Sequence, residues 1–450
     1  MTIAETFAEF LISTRTGDLP ERAMDLAAMI VASTIASAAA GRNIGSARII
    51  RDIEMDRGGT PEASVWFESR NKLPVVGAAR ANALMSDAAA SDDSDLRNIV
   101  HAGTPLTATS LAIAERTGAS GAEVLAAIVV GYEAAGRIGE AIIPRFDYRG
   151  FHGCLGAAFG ATIAAARLYG LNHIQAAHAI VLTATSVGGL AKAAATSISR
   201  EYHAGSVTML GIEAAQAAHR GYTGELALME MERGFCQMYG GAEADVGAIT
   251  HELGREWDIA TDMAIKLVPG GHPFHAFGEA AADAARDGNI SPDQIASIFI
   301  ARPGLSEVPG PFHPSDLIAM AHSPAYFAAA GAHDKRFGWE HATPGKIGDP
   351  EIHALIGKVR IAPPPGGRDG LYRQGATVTI ETTDGRRVAS TVLVPKGAAM
   401  LGVGWEDIDA KYRALAPLAP MPANAVEVSL ALIKALRDAP NVGALLSAIG

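Results

Sequence analysis

Residues 265–275 read Ile-Lys-Leu-Val-Pro-Gly-Gly-His-Pro-Phe-His, which sets one lysine and two histidines around a Pro-Gly-Gly break. Lys266 sits in an apolar run, Ala264-Ile265-Lys266-Leu267-Val268. A lysine desolvated there has a lowered pKa and can act as a base near neutral pH. Pro269, Gly270 and Gly271 end any element and open a loop or a domain crossing. His272 and His275 then begin an Ala-rich helix. Taken alone, such a stretch is more often a snorkelling lysine beside a helix-start histidine. Matching partners elsewhere in the chain shift that balance towards chemistry.

Asp92, Asp93, Ser94, Asp95 and His101 form a polar stretch between two apolar helices. Carboxylates with a histidine can hold a divalent metal or run acid–base chemistry, but this spacing fits no metal motif. A solvated turn with an N-cap aspartate is its usual outcome. His101 precedes a helix start, where substrate carboxylates are favoured. Tyr148 and His152 lie four apart, with Gly150 between them breaking any helix, so His152 opens the Gly-rich helix that follows. Histidine is the usual general base at neutral pH. Arg200 and His203 start another helix. Arg200 can grip a carboxylate with both guanidinium nitrogens, or pair with Glu201 or Glu213 at the surface. Tyr326 follows Ser323-Pro324 on an Ala-rich helix and offers either a hydroxyl or core packing. Dinucleotide, Walker, nucleophile-elbow and His-Glu-x-x-His signatures are missing.

These groups need elements to hold them. The chain has 450 residues, which predicts two domains. To residue 265 the pattern is helix after helix: Leu26–Ala40, Leu73–Ala90, Pro105–Glu115, Gly121–Ile142, His152–Tyr169 and Ile174–Ala184, with no strand alternation. Gly153, Gly156 and Gly160 share one helix face, which predicts close approach of another backbone. After Pro269 come strands at Ile295–Arg302, Lys358–Ile361, Thr377–Thr382 and Arg387–Val394, the last two joined by an Asp384-Gly385 turn. The expected fold is mainly α: a large all-helical domain, 1–267 with 401–450, and a smaller α+β lid domain, 268–400. The net charge of −11 without a basic stripe argues against nucleic acid. The apolar run from Leu26 to Gly41 reads as a buried helix, so no membrane partner is expected. Cys154 and Cys236 are the two cysteines. They form no Cys-x-x-Cys pair, and with an acidic N-terminus they point to the cytoplasm.

Gly131-Tyr132-Glu133 with Arg137, Gly150-Phe151-His152, Lys266 with Pro269 and His272, and Pro395-Lys396-Gly397 followed by Trp405-Glu406-Asp407 and Lys411-Tyr412-Arg413 occur in order. Together they resemble the MmgE/PrpD family, which includes 2-methylcitrate dehydratases, cis-aconitate decarboxylases and iminodisuccinate epimerase. The resemblance implies a homodimer, a small polycarboxylate substrate, no metal, no organic cofactor and a site between the domains. It puts His101, His152, Lys266 and Tyr326 on positions used in the family's active sites. This chain departs at Ala90, where the pattern has an aspartate, at Arg200, where it has a lysine, and at Ala102, where it has a proline. The missing aspartate and lysine belong to the dehydratase and decarboxylase pattern, so the whole chain is most similar to the epimerase. The expected activity is cofactor-independent, two-base inversion at the α-carbon of an imino or amino dicarboxylate. Lys266 would be one base and Tyr148 or His152 the other. His101, Arg200, His203, His272 and Asp93 would bind substrate, and Tyr326 would orient it. A lyase of the dehydratase or decarboxylase type is the alternative, and a non-catalytic small-acid binder a third possibility.

Overall fold

The computed structural model describes residues 1–68, 71–143, 149–366, 374–422 and 424–450. The chain is mainly helical and divides into two compact units. One comprises 1–194, 198–265 and 402–450, and the other 195–197 and 266–401.

The elements of the first unit that bear on the site are α1 (Glu21–Gly41), α2 (Val75–Ala88), β1 (Asp93–Asp95), α3 (Gly103–Thr117), α4 (Gly121–Ile142), α5 (Cys154–Leu168), α6 (His173–Ser186), α7 (Arg200–His219) and β2 (Met263–Ile265). Helix α1 is apolar on every face, as a central core helix must be. By length and composition it would also pass as a membrane span, but 89% of its apolar window is buried inside the fold. Helix α4 starts at a reciprocal cap, in which the Glu123 N–H donates to Ser120 Oγ at 3.3 Å and Glu123 accepts from the Ser120 N–H at 2.7 Å. Its Gly131 and Ala135 carbonyls meet the glycine face of α5. A Cβ at Gly156 would lie 2.6 Å from the Ala135 oxygen, and one at Gly160 2.8 Å from the Gly131 oxygen. Only glycine lets these two backbones touch.

The expectation that this part holds no strand needs correction. β1 and β2 pair antiparallel, with Asp93 opposite Ile265 and Asp95 opposite Met263. Strands this short carry too little alternation to stand out from helical sequence. The ladder also removes Asp92, Asp93 and Asp95 from solvent; they are 1%, 2% and 0% exposed. The solvated turn read from the sequence is therefore a buried acidic segment. The tail returns to this unit through α10 (Trp405–Leu415), which packs on α1. Its Lys411 is buried and donates to Ser33 Oγ at 2.7 Å and to the Ser91 carbonyl.

The second unit carries α8 (His272–Asp287), β3 (Ile295–Ala301), α9 (Pro324–Asp334), β4 (Val359–Ile361), β5 (Ala376–Thr382) and β6 (Arg387–Val392). Its sheet runs β4-β3-β5-β6, with β4 parallel to β3 and the other pairs antiparallel. Inward Ile298, Ile300, Val378 and Ile380 meet Phe277 and Ala281 of α8 and Phe327 of α9 in one core. The Pro-Gly-Gly break is fixed by shape. Gly270 has φ +105°, and a Cβ there would lie 2.6 Å from the Phe327 ring.

Candidate active site

Helix α2 ends at Ala88, and the chain turns through Ala90 at φ +51°. The following carbonyl, on Ser91, accepts from Ser37 Oγ at 2.8 Å and from Lys411. With its backbone held on both sides, this turn places the Asp92 carboxylate 2.8 Å from His101 Nδ1. The same nitrogen lies 2.6 Å from the Asp93 carbonyl oxygen. The Ser94 hydroxyl also lies 3.2 Å from it. A carboxylate and a carbonyl against one nitrogen require it to carry the proton, so Nε2 is the unprotonated nitrogen of the neutral ring.

Asp93 does not reach outward. Its carboxylate accepts from the Gly103 N–H at 2.9 and 3.1 Å and from the Tyr132 hydroxyl at 3.1 Å, capping α3 from inside the core. Burial, reinforced by the charge of Asp92, pushes its carboxyl up to about 6. The substrate-binding role expected of Asp93 is corrected to a positioning one.

His152 stacks on His101 with ring centroids 5.9 Å apart and lies 5.0 Å from His203. Its backbone N–H donates to the Gly189 carbonyl at 3.2 Å. Its Nδ1 accepts the Cys154 N–H at 3.2 Å, one of the free donors at the start of α5. Burial holds His152 well below the usual imidazole range, and the nearby cation-forming groups His101, His203 and Arg200 act in the same direction. A neutral ring whose Nδ1 is an acceptor carries its proton on Nε2. His152 is thus arranged as a neutral hydrogen-bond donor through Nε2, not as a base through Nδ1.

His203 is also held below the imidazole range by burial; Asp87 opposes the shift and Arg200 adds to it. Among the described residues its buried Nδ1 has no hydrogen-bond partner. Arg200 is neither at the surface nor unengaged. It is 8% exposed, donates to the Asp87 carbonyl, and lies 3.5 Å from the Asp87 carboxylate and 3.9 Å from Glu201. It supplies positive charge near the histidines; one of its terminal nitrogens makes these contacts, while its buried Nε has no hydrogen-bond partner among the described residues. Arg200, Asp87, Pro105 and the three histidines line a cavity of about 10 Å³. That is roughly the room of one water.

The first unit therefore gathers His101, His152, Arg200 and His203. In the second unit Lys266 and His272 are 1% and 0% exposed. His272 packs against His275 with centroids 4.7 Å apart, and His275 Nε2 lies 3.3 Å from the Gly270 carbonyl oxygen. Tyr326 is a further correction. It is buried in the core, and its hydroxyl donates to the His341 carbonyl at 2.9 Å, so it is committed to packing rather than to substrate. Tyr148 lies outside the described residues. Asp87 and Cys154 were not legible as site residues. Asp87 is an unremarkable residue near the end of α2, and Cys154 is a lone cysteine in sequence that meets His203 only through the fold.

Comparison with known proteins bears on this arrangement. Residues 5–246 match the MmgE/PrpD N-terminal domain, and residues 269–435 match the MmgE/PrpD C-terminal domain. The chain belongs to the MmgE/PrpD family. Relatives of this MmgE/PrpD protein include human cis-aconitate decarboxylase, 24% identical over 97% of this chain and 92% of the relative. The mouse cis-aconitate decarboxylase is 25% identical over 78% of this chain and 74% of its own length. The cis-aconitate decarboxylase-like protein oryM of Aspergillus oryzae is 26% identical over 62% of this chain and 61% of its own. Two backbone outliers bracket this MmgE/PrpD protein's buried acidic segment. Ala90 and Ile99 have φ of +51° and +55°, a region that non-glycine residues occupy only when the surroundings enforce it.

Proposed function

We propose that this protein is an enzyme that moves a proton at a carbon next to a carboxylate of a small polycarboxylate. The observation that carries the reading is the pairing of two histidines in complementary states. His101, backed by Asp92, presents a lone pair, while neutral His152 presents an N–H. His101 would take the α-proton. The electron pair left on carbon would pass onto the adjacent carboxylate as an enediolate, and His152 would donate a hydrogen bond to the developing charge. A neutral histidine at a helix start, used as an electrophile, is an established way to stabilise an enediolate. Asp92 would stabilise the imidazolium formed on His101 without itself taking the proton.

The complete reaction proposed is epimerisation of an imino dicarboxylate such as iminodisuccinate. Its support is that the first step needs a base, and that Ala90 and Arg200 replace the aspartate and lysine of the lyase pattern. Lys266 is the proposed second acid–base group, and a homodimer is part of the same reading. A lyase reading is favoured by a different observation, the likeness to human cis-aconitate decarboxylase along nearly the whole chain. There the bond to a carboxylate breaks and CO2 leaves. The electron pair stays on the conjugated carbon framework, and protonated His101 returns a proton to it. Proton NMR in D2O with iminodisuccinate, and separately with cis-aconitate and 2-methylcitrate, tests both. Deuterium entering the α-position with interconversion of stereoisomers supports the epimerase. A decarboxylated product from cis-aconitate, or water loss from 2-methylcitrate, without that exchange gives the lyase. No change in any substrate refutes the assignment to these polycarboxylates.

A further inference from the structure

The same wall holds a second constellation that proton transfer does not use. One ligand-capable atom from each of His152, Cys154 and His203 lies within 4.8 Å of the other two. Two imidazoles and a thiol are the donor set of zinc and similar borderline-soft ions. Tetrahedral zinc places its donors about 3.3–3.8 Å apart, given bonds of about 2.0–2.1 Å to nitrogen and 2.3 Å to sulfur. Closing this group around an ion therefore takes side-chain movements of about 1 Å.

Local geometry favours capture. Nothing among the described residues fixes the tautomer of His203 through Nδ1, so either ring nitrogen can turn to an ion. His152 Nδ1 would exchange one long backbone hydrogen bond of 3.2 Å for a coordinate bond. Cys154 has no part in the proposed proton transfer. Space beside the thiol comes from Gly189. A Cβ there would lie 2.6 Å from Cys154 Sγ and 3.5 Å from His203 Nε2, so the sulfur and the imidazole edge face each other across a glycine.

We propose that His152, Cys154 and His203 form an inhibitory site for zinc or a similar thiophilic divalent ion, which withdraws His152 and His203 from substrate. Binding converts Cys154–SH and a hydrated divalent ion into a metal thiolate and one released proton, with no change of oxidation state. The ligands come from the turn before α5, the start of α5 and the first turn of α7, so no sequence spacing announces them. The binding claim stands on the geometry alone. The inhibition claim rests on the function proposed above.

Cobalt(II) titration of the purified full chain tests binding directly, because a cobalt–thiolate bond gives a charge-transfer absorption that histidine-only sites lack. That matters here because His313 and His353 sit at the surface with Nδ1 atoms 3.1 Å apart and could take up metal without a thiol. The wild type should show the thiolate band at one equivalent, and zinc should abolish it. Cys154→Ser should lose the band, keep metal-free turnover, and need at least about tenfold more zinc for the same inhibition. Gly189→Ala should lose the band while retaining the thiol, which covers the case in which Cys154→Ser fails to fold. A folded wild type without the band overturns the proposal, as does a band that survives Cys154→Ser, which would then belong to Cys236. Zinc inhibition undiminished in Cys154→Ser overturns the inhibitory role. If no tested substrate turns over, the band still decides the site, and only the enzymatic reading falls.

Discussion

His101 and His152 are stacked imidazoles in one wall, yet their neighbours assign them opposite tasks. Asp92 and the Asp93 carbonyl put the proton of His101 on Nδ1, whereas the Cys154 N–H keeps Nδ1 of His152 bare. His101→Asn should therefore lower turnover by about a hundredfold to ten-thousandfold, the usual worth of a positioned base. Substrate affinity measured calorimetrically should change far less. Loss of binding in step with turnover would make His101 a binding residue instead. His152 gives an independent check. An ordinary histidine is mostly protonated at about pH 5.5, below its usual pKa near 6.5. Because the pKa of His152 lies well below that range, nitrogen-15 NMR at this pH should still show a neutral ring with its proton on Nε2. A protonated ring, or a proton on Nδ1, would contradict the donor role.

At the scale of elements, the glycine face of α5 and the buried acidic segment make separate predictions. Gly156→Ala replaces a poor helix former with the best one, worth about 1 kcal/mol in a free helix. Here the new methyl would lie 2.6 Å from a backbone carbonyl on α4, which cannot move alone. Net destabilisation of about 1–3 kcal/mol by chemical denaturation is expected, the range for overpacking. Stabilisation would show that the two helices have slack.

The acidic segment governs how stability responds to pH. Burial pushes Asp93 up to about 6, Asp95 to about 7 and Glu201 to about 7, all above the unfolded values of 3.8 or 4.5. A raised folded-state value means that the native protein binds these protons more readily. Their contribution is fully present below the unfolded values and is lost as pH rises through about 6 to 7. His152 and His203, with depressed values, act in the opposite sense; their contribution is full above the ordinary imidazole range and declines below it. Between about pH 8 and pH 6.5 the carboxylates dominate, so the thermal midpoint should rise as pH falls. Asp95→Asn, which keeps an acceptor for the Arg97 and Asn98 N–H groups, should flatten that rise. An unchanged slope would show that Asp95 is ionised in the native state.

At the scale of the molecule, two compact units divide the residues expected to do chemistry. The first owns the histidine wall, and the second owns Lys266, His272 and His275. The MmgE/PrpD N-terminal domain match lies in the first unit apart from residues 195–197, and the C-terminal domain match covers most of the second and residues 402–435 of the first. Lys266→Ala should reduce turnover by at least about a hundredfold. A variant with near-native turnover would remove Lys266 from the mechanism and leave the first unit's histidines as the acid–base machinery.

What the sequence determined by itself was whatever depends on local periodicity and composition. The apolar repeats placed the helices, the Asp384-Gly385 turn placed the hairpin, and Gly153, Gly156 and Gly160 announced a close backbone contact. The motif order announced the family. The tertiary structure decided which polar groups face one another, because such contacts join residues distant in sequence. Asp87 meets Arg200 across 113 positions. Lys411 reaches Ser91 across 320 and steadies the turn that carries Asp92. Tyr326 and Asp93 look like site residues by type, but their hydrogen bonds are taken up inside the core. The proton assignments of His101 and His152 follow from acceptors and donors set by a two-strand ladder and a helix start. Three residues of strand are too few to leave a pattern, so the chemistry of that wall became readable only once the chain was folded.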